Sequence, residues 1–275
     1  MASFGERLSQ VFKDKGQLCV GIDPSNSQLL RWGLEVNASG ARDFSFELID
    51  SAASSVGIVK PQIAFFEQFG SKGFKVLEEV LDRAKNAGLV VVADAKRGDI
   101  GSTMEGYANA WIANDGVFFC DALTVSPYLG PKGLLDTAHL AIKNQRGLFV
   151  LAATSNPEAI SLQQAKDGFQ TVASKAVEFA KSLSTGELGS IGVVIGATIQ
   201  LEDFGISEQS LVKVPVLMPG FGSQGVDLKS ARNLFPQIRN NLICSASRSI
   251  AGDSRKGLEQ RISAAVSELE LGLST

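Results

Sequence analysis

An apolar stretch of this 275-residue chain stops abruptly at acids and bases whose types could move a proton or stabilise a developing charge. In VVADAKRGDIGST, residues 91–103, β-branched residues give way to Asp94, Lys96 and Asp99, and a small-residue turn follows. Asp94 and Lys96 are two residues apart on the expected strand, so their side chains share one face. Taken alone, such a pair is more often a structural ion pair than a catalytic one.

Polar residues end several other apolar runs in the same way. The full set is Asp23, Lys60, Asp94, Lys96, Ser155 and Arg248. Lys60 ends the run that is expected to lie beside the run of Asp94. Several ionisable groups gathered in one low-dielectric site are costly unless function requires them. The set as a whole therefore favours a catalytic site.

A second candidate site follows the last two apolar runs. The segments PGFGSQG (219–225) and SASRSI (245–250) offer exposed backbone N–H groups, an amide and a guanidinium. The residues expected to contribute are Gly220, Gly222, Gln224, Gly225, Ser247 and Arg248. Glycines also close tight turns without any ligand, but a Gly-rich turn followed by an arginine between two serines is typical of a phosphate site. The sequence predicts that the ligand is a phosphate ester.

The segment ATSNP (153–157) has two interpretations from the sequence alone. Its hydroxyl and amide groups could bind a polar heterocycle, or they could cap the helix that follows.

Histidine and cysteine chemistry is not expected. His139 lies in the apparently helical stretch DTAHLAIKN, where a surface position is the expectation. Cys19, Cys120 and Cys244 are far apart in apolar runs and lack the paired spacing of a zinc or redox site, so we expect three buried free thiols. Proton transfer must then depend on carboxylates and lysines.

The elements that would position these residues are eight short apolar runs with helical segments between them. The runs are 17–23, 57–61, 89–96, 120–127, 147–155, 191–198, 214–222 and 241–249. Strand followed by helix, repeated eight times, predicts an α/β fold, a single (β/α)8 TIM barrel over residues 1–275. A doubly wound open sheet would have a similar pattern. The polar residues at the carboxyl ends favour the barrel, which gathers those ends into one ring.

Composition limits the partners. The net charge is −3, and Lys and Arg are scattered, so no basic stripe is present for nucleic acid or an anionic membrane. The first residues, MASFGERLSQVFKDKG, lack the apolar core of a signal peptide, and no run of 18 apolar residues occurs. We therefore expect a cytoplasmic protein with no nucleic-acid or membrane partner.

The motifs together resemble a known family. DAKRGDIGST resembles the Asp-x-Lys-x-x-Asp signature of the orotidine 5′-phosphate decarboxylases, in the form found in their mostly bacterial second subfamily. Further segments match that family in order and spacing over nearly the whole chain, namely LCVGIDPSNSQLLRWGL, VKPQIAFFEQFG, DALTVSPYLG, TSNP, MPGFGSQG and SRSI. Ser126, in VSPYLG, departs from the asparagine that is usual in the subfamily, and this difference concerns only the polar contacts under that loop.

The resemblance implies a role for each matching residue. An array of alternating charge would contain Lys60, Asp94, Lys96 and Asp99. Asp99 and Thr103 would reach the active site of the partner chain in a homodimer.

Substrate contacts are implied by the same resemblance. Asp23 and Lys60 would hold the ribose hydroxyls, and Ser155 would bind the pyrimidine ring. Gln224 and Arg248 would hold the phosphate. The implied reaction converts orotidine 5′-phosphate to uridine 5′-phosphate in de novo pyrimidine biosynthesis, without metal or organic cofactor.

Two alternatives stay open at this point. Sugar-phosphate decarboxylases and aldol enzymes of the same barrel superfamily share Asp-x-Lys-x-x-Asp, but they resemble a Mg²⁺-binding design in which a glutamate ends the second strand. Lys60 at that position would repel the metal. A non-catalytic nucleotide-binding barrel is the other alternative, and we would expect it to have lost a member of the charge array.

Overall fold

The computed structural model describes residues 1–222 and 225–273. Ten strands occur in that part of the chain: β1 Leu18–Ile22, β2 Ile58–Pro61, β3 Val90–Arg97, β4 Ala122–Val125, β5 Gly147–Ala153, β6 Lys166–Asp167, β7 Gln170–Thr171, β8 Ile191–Ile195, β9 Val216–Pro219 and β10 Leu242–Ala246. Eight of them are parallel and close a barrel in the order β1-β10-β9-β8-β5-β4-β3-β2. The predicted barrel is confirmed, and each predicted run contains or overlaps one barrel strand.

Twelve α-helices lie in the described residues: α1 Phe4–Lys15, α2 Asn26–Arg31, α3 Ala38–Ala52, α4 Ala64–Glu67, α5 Gly70–Asn86, α6 Gly101–Trp111, α7 Leu135–Lys143, α8 Ile160–Gln163, α9 Val172–Ser182, α10 Ala231–Leu234, α11 Arg248–Ala251 and α12 Leu258–Leu273. Apolar residues on the longer helices pack against the outer face of the strands in one large cluster. None of these helices is both long and apolar enough to cross a membrane.

The alternation of strands and helices is interrupted after β8. Residues 196–215, all of which the structure describes, contain two 3-10 turns, Leu201–Phe204 and Glu208–Leu211, and no α-helix. Gly205 ends the first turn with a φ of 65°, a left-handed conformation that stops helix propagation. The prediction of a helix after every strand is therefore wrong at this point.

A small hairpin and the first helix are among the elements that were not predicted from the sequence. Strands β6 and β7 form a small antiparallel hairpin in the connection between β5 and α9. Helix α1 begins at a capping box, in which Ser3 and Glu6 exchange side-chain and backbone hydrogen bonds. It closes the amino-terminal end of the barrel.

The barrel interior is packed with apolar side chains that point inward. It contains Phe4 and Leu8 of α1 together with Cys19, Ile58, Val90, Val92, Ala122, Phe149, Val194, Leu217 and Ile243 from the strands. Because side chains alternate along a strand, every second residue after these core residues also points into the barrel, up to the carboxyl ends of the strands. Those positions carry the candidate site.

The predicted thiols and histidine lie where the sequence placed them. Cys19, Cys120 and Cys244 are buried free thiols, and burial raises the pKa of Cys19 to about 12. His139 is exposed on α7.

Candidate active site

The charged side chains lie at the carboxyl-terminal mouth of the barrel. Inward positions on β2 and β3 change from apolar to charged, so that Ile58 is followed by Lys60, and Val92 by Asp94. They line a cavity of about 290 Å³, together with Asp23, Lys96 and Arg248. The structure thus gathers side chains from the ends of four different strands into one site, as the sequence predicted.

Asp94 is held between two lysines. Its Oδ2 lies 3.0 Å from Lys60 Nζ, and its Oδ1 lies 2.6 Å from Lys96 Nζ. The side chains of Lys60 and Asp94 are 7% and 12% exposed, whereas the side chain of Lys96 is 45% exposed. Lys96 is therefore the member of this group that a ligand in the cavity can reach most easily.

The pKa values of the two buried groups reflect this pairing. Burial alone would raise the pKa of Asp94, but the charges of Lys60 and Lys96 outweigh it and lower the pKa to about 2. Burial would likewise lower the pKa of Lys60, but the Asp94 and Asp23 carboxylates outweigh it and raise the pKa. Both groups are thus charged across the neutral range.

Two further residues contact Asp94 and were not singled out from the sequence. Gln62 faces the carbonyl and the Oδ2 of Asp94, both of which are acceptors. Its amide nitrogen must point toward them, and it then donates at 2.8 and 2.9 Å. Thr124 of β4 donates to Asp94 Oδ1 at 3.0 Å. The two positions lie two residues after Lys60 and after Ala122, which face the barrel interior in the structure.

Asp23 carries a buried oxygen without a protein partner. Its Oδ1 is inaccessible to solvent and accepts no hydrogen bond from the part of the chain that the structure describes. Such an atom costs free energy unless something donates to it. Asp23 also lines the cavity, so a rotation of its carboxylate would offer this oxygen to a ligand hydroxyl.

The predicted phosphate segments lie beside one another at the mouth of the cavity. Gly220, Gly222 and Gly225 have φ angles of 116°, 75° and 89°, a region that L side chains rarely adopt. Gly220, Ser247 and Arg248 line the cavity, whereas Gly222 and Gly225 do not. The predicted contact Gln224 lies outside the described residues.

The glycine turn is closed by its own backbone. Phe221 bridges to Val226, and the N–H of Gly222 donates to the carbonyl of Val226 at 2.8 Å. A Cβ on Gly222 would come within 2.3 Å of the Ser249 hydroxyl, so this position requires glycine for space as well as for its φ angle.

The ATSNP segment presents Thr154, rather than Ser155, to the cavity. Ser155 is exposed, one residue further along the connection. The register of β5 against β8 shifts between Leu151 and Ala153, which moves the inward position by one residue. Asn156 precedes a short 3-10 turn but makes no side-chain capping bond, so it does not support the capping alternative.

Asp99 and Thr103 do not line the cavity of their own chain. They lie at the start of α6, where Asp99 Oδ1 accepts from the N–H of Ile100 at 2.8 Å and Thr103 is exposed. Ser126 is half-buried beneath the same loop, and its N–H donates to the carbonyl of Arg97 at 2.7 Å.

Comparison with known proteins agrees with this arrangement. Residues 16–260 match the family described as orotidine 5′-phosphate decarboxylase / HUMPS. A Corynebacterium glutamicum orotidine 5′-phosphate decarboxylase is 45% identical over 254 residues, which cover 90% of each chain. The Streptomyces coelicolor enzyme of the same name is 42% identical and covers 91% of this chain and 90% of its own.

Solved structures give the same result. The crystal structure of a Streptomyces avermitilis protein, assigned provisionally as an orotidine 5′-phosphate decarboxylase, superposes with a TM-score of 0.94 at 39% identity. The match covers 100% of this chain and 97% of that one. The family match over residues 16–260, the superposition on the solved structure and the 45% identity across nine-tenths of the chain lead to one conclusion: this chain belongs to the orotidine 5′-phosphate decarboxylase / HUMPS family.

Proposed function

We propose that this chain decarboxylates orotidine 5′-phosphate to uridine 5′-phosphate, a step of de novo pyrimidine biosynthesis, in the cytoplasm and without a cofactor. One observation carries the proposal. The Asp94 carboxylate, whose side chain is 12% exposed, lies between Lys60 and Lys96 in a cavity that Arg248 and Gly220 also line. The proposal treats residues 1–275 as one catalytic domain, which is supported by the single barrel that collects these groups.

The substrate would contact the polar groups that line the cavity. The ribose hydroxyls would donate to the Asp23 carboxylate and contact Lys60. The phosphate would lie at Arg248, at Ser247 and at the glycine turn with Gln224. The pyrimidine would contact Ser155 once the β5–α9 connection is packed against it, beside Thr154, which already lines the cavity.

The charge array suits the loss of CO₂ from C6 of the pyrimidine. That step leaves a carbanion in an sp² orbital with no adjacent electron sink, so electrostatics and binding energy must lower the barrier. Asp94 would lie beside the substrate carboxylate and disfavour the ground state. As negative charge moves to C6, the Lys96 ammonium would stabilise it and then donate its proton to C6.

The distal phosphate would contribute binding energy to the same step. Contacts at the glycine turn lie far from the breaking bond, but closing that turn over the ligand would exclude water from the charge array. Electrostatic interactions are stronger in a site without water. The phosphate site is therefore part of the proposed catalytic device and not only an anchor.

The functional unit would be a homodimer in which Asp99 and Thr103 serve the partner's site. Their position outside their own cavity supports this, as do three large apolar side chains nearby that are more than half exposed, Ile100, Tyr128 and Leu129. A partner chain in the proposed dimer would cover exposed apolar side chains of this size. Asp99 from the partner would balance the second lysine of the array.

The Mg²⁺-dependent alternative is disfavoured by Lys60. Its ammonium lies 3.0 Å from Asp94, at the strand end where that design has a glutamate, and would repel a divalent cation. The non-catalytic alternative is disfavoured because all four members of the charge array are present in the chain.

Absorbance spectroscopy tests the proposal directly. Purified protein mixed with orotidine 5′-phosphate in EDTA should remove the orotate chromophore at a rate proportional to protein concentration. Lys96→Ala protein, prepared identically, controls for decarboxylase from the expression host. Loss that occurs without EDTA but not in its presence would indicate a metal enzyme. No loss above the Lys96→Ala control under either condition would indicate a non-catalytic protein.

A further inference from the structure

Thr124 is a buried polar residue in a strand that is otherwise apolar. It lies on β4, whose sequence is ALTV, and is only 1% exposed. It is two residues after Ala122, which points into the barrel, so its side chain also points inward. It faces the end of β3, where Asp94 and Lys96 lie. A hydroxyl in this place must be paired on both its donor and its acceptor side to offset its burial.

The direction of both hydrogen bonds of Thr124 is determined by its partners. The N–H of Lys96 donates to Thr124 Oγ1 at 2.9 Å, and a backbone N–H can only donate. The hydroxyl proton is then available for Asp94 Oδ1 at 3.0 Å, and an ionised carboxylate can only accept. Thr124 thus accepts a hydrogen bond from the Lys96 backbone and donates one to the Asp94 carboxylate.

The same oxygen of Asp94 closes a ring. Oδ1 also accepts from Lys96 Nζ at 2.6 Å, so the main chain and the side chain of Lys96 both end at one carboxylate oxygen. One path runs through Thr124 and the other is direct. The position of the Lys96 ammonium is therefore fixed both by its own bond to Asp94 and by the bond that holds its main chain.

Lys96 needs this support because its backbone is unusual. Its φ is +50°, which is uncommon and unfavourable for a residue with a side chain. The register between β3 and β4 shifts between Ala93 and Arg97, and the Lys96 N–H bonds to a threonine hydroxyl in that interval. Nearly half of the Lys96 side chain is exposed, so packing alone holds it only partly.

We propose that Thr124 is a positioning residue that holds Lys96 in its left-handed backbone conformation and orients Asp94, and thereby aims the Lys96 ammonium at the reacting carbon. This inference rests on the proposed decarboxylase function. Thr124 acts through Lys96 and Asp94 and does not line the cavity itself. Its contribution should therefore be to turnover and not to binding of the nucleotide.

The test compares a variant that loses the hydroxyl with one that loses only the methyl group. Thr124→Val keeps the shape and removes both hydrogen bonds, and Thr124→Ser keeps the hydroxyl. We expect Thr124→Val to lower kcat about 10- to 100-fold, because hydrogen bonds that involve a charged group are lost. KM and the affinity for uridine 5′-phosphate should stay within about threefold of wild type. Thr124→Ser should retain kcat within about threefold of wild type.

A matched control removes another buried hydroxyl. Ser190, before β8 at the opposite end of the barrel, accepts from the N–H of Gly5 at 3.4 Å. Ser190→Ala should leave kcat unchanged, whatever it does to the melting temperature. If Thr124→Val does not fold, Thr124→Ala serves as the second hydroxyl deletion, with the same expected loss of kcat.

The outcomes separate the inference from the proposed function. Wild-type turnover of orotidine 5′-phosphate tests the function. Given that turnover, a hydroxyl-deleted variant with kcat within threefold of wild type would overturn the positioning role. Equal losses in Thr124→Val and Thr124→Ser, or a loss of product affinity as large as the loss of kcat, would likewise overturn it by pointing to general disruption.

Discussion

At the scale of single residues, Lys96 is the group on which the proposed chemistry depends most directly. We expect Lys96→Ala to abolish decarboxylation while binding of uridine 5′-phosphate stays within about tenfold, because the ammonium acts chiefly on the developing carbanion. Absorbance kinetics and calorimetry measure the two effects. Lys143→Ala, an exposed lysine at the end of α7, is the control. A Lys96→Ala enzyme that kept a tenth of wild-type turnover would show that Lys96 is not the proton donor.

Arg248 tests the assignment of the phosphate end. Arg248→Ala should raise KM steeply, because charge-assisted contacts to the phosphate are lost. The fall in kcat/KM should correspond to a loss of about 3 kcal/mol of transition-state stabilisation. The nucleoside orotidine lacks the phosphate, so its slow turnover should be nearly the same in Arg248→Ala and in wild type. Arg42→Ala, on the exposed face of α3, controls for loss of a surface charge. Equal damage with nucleoside and nucleotide would make Arg248 a structural residue.

Asp94 should make stability depend on pH in the acid range. Its pKa in the folded chain is about 2, against an ordinary value of 3.8. A carboxyl with a lowered folded pKa stabilises the fold above its ordinary pKa, and that stability is lost as the pH falls from about 4 to about 2. The loss is about 2 kcal/mol.

Urea unfolding of wild type and Asp94→Asn between pH 5 and pH 2.5 measures this effect. Asparagine does not titrate, so the stability difference between the two proteins should shrink by most of that amount as the pH falls. The difference between wild type and Asp43→Asn, an exposed carboxylate on α3, should change much less. A wild-type to Asp94→Asn difference that stays constant with pH would mean that the two lysines do not stabilise the Asp94 carboxylate.

At the scale of elements, α1 closes the amino-terminal end of the barrel and should stabilise it without taking part in the chemistry. Phe4 is fully buried and meets Phe149 of β5 edge to face, with 6.1 Å between ring centroids. Arg7 anchors the same helix through a 2.5 Å ion pair with Asp121. A Cβ on Gly147 would come within 2.6 Å of the Phe4 ring, so the fit is close.

Phe4→Ala should therefore lower the free energy of unfolding by about 4 kcal/mol, because a large ring leaves a cavity in the barrel interior. KM should not change at temperatures where the variant is folded. Denaturant unfolding and steady-state kinetics measure both, with Leu30→Ala, an exposed residue on α2, as the control. A change in KM without a change in stability would show that α1 influences the site at the far end of the barrel.

At the scale of the whole molecule, the proposed dimer makes each site a composite of two chains. Lys96→Ala and Asp99→Ala should each be inactive alone. A heterodimer of the two places both lesions in one site and leaves the other site with an intact Lys96 and an intact Asp99. Random exchange makes about half of the dimers heterodimers, each with one good site, so roughly a quarter of wild-type activity should return.

Subunit exchange must be verified independently, by mass spectrometry of differently tagged chains. Mixing Lys96→Ala with Asp94→Asn is the control, because both lesions affect residues of the same chain's cavity and no intact site can form. If activity stays absent after verified exchange of Lys96→Ala with Asp99→Ala, Asp99 serves its own chain or lies outside the chemistry.

Much of this molecule was determined by local sequence pattern. Eight β-branched runs predicted the barrel strands, because parallel strands covered on both faces need continuous apolar residues. Charged residues at the ends of those runs predicted a site at the barrel mouth, because parallel strands place their carboxyl ends on one side. The placement of Lys60 beside Asp94 followed from these two facts and is confirmed at 3.0 Å.

Tertiary structure alone decided the finer geometry. Lys96 has its left-handed backbone inside the register shift of β3, and the register shift of β5 turns Thr154, rather than Ser155, toward the cavity. Gln62 and Thr124 acquire their roles only by contact with Asp94. Periodicity describes which face of one strand a residue occupies, but a bulge or a contact depends on how neighbouring strands, far apart in sequence, are aligned by packing of the whole barrel.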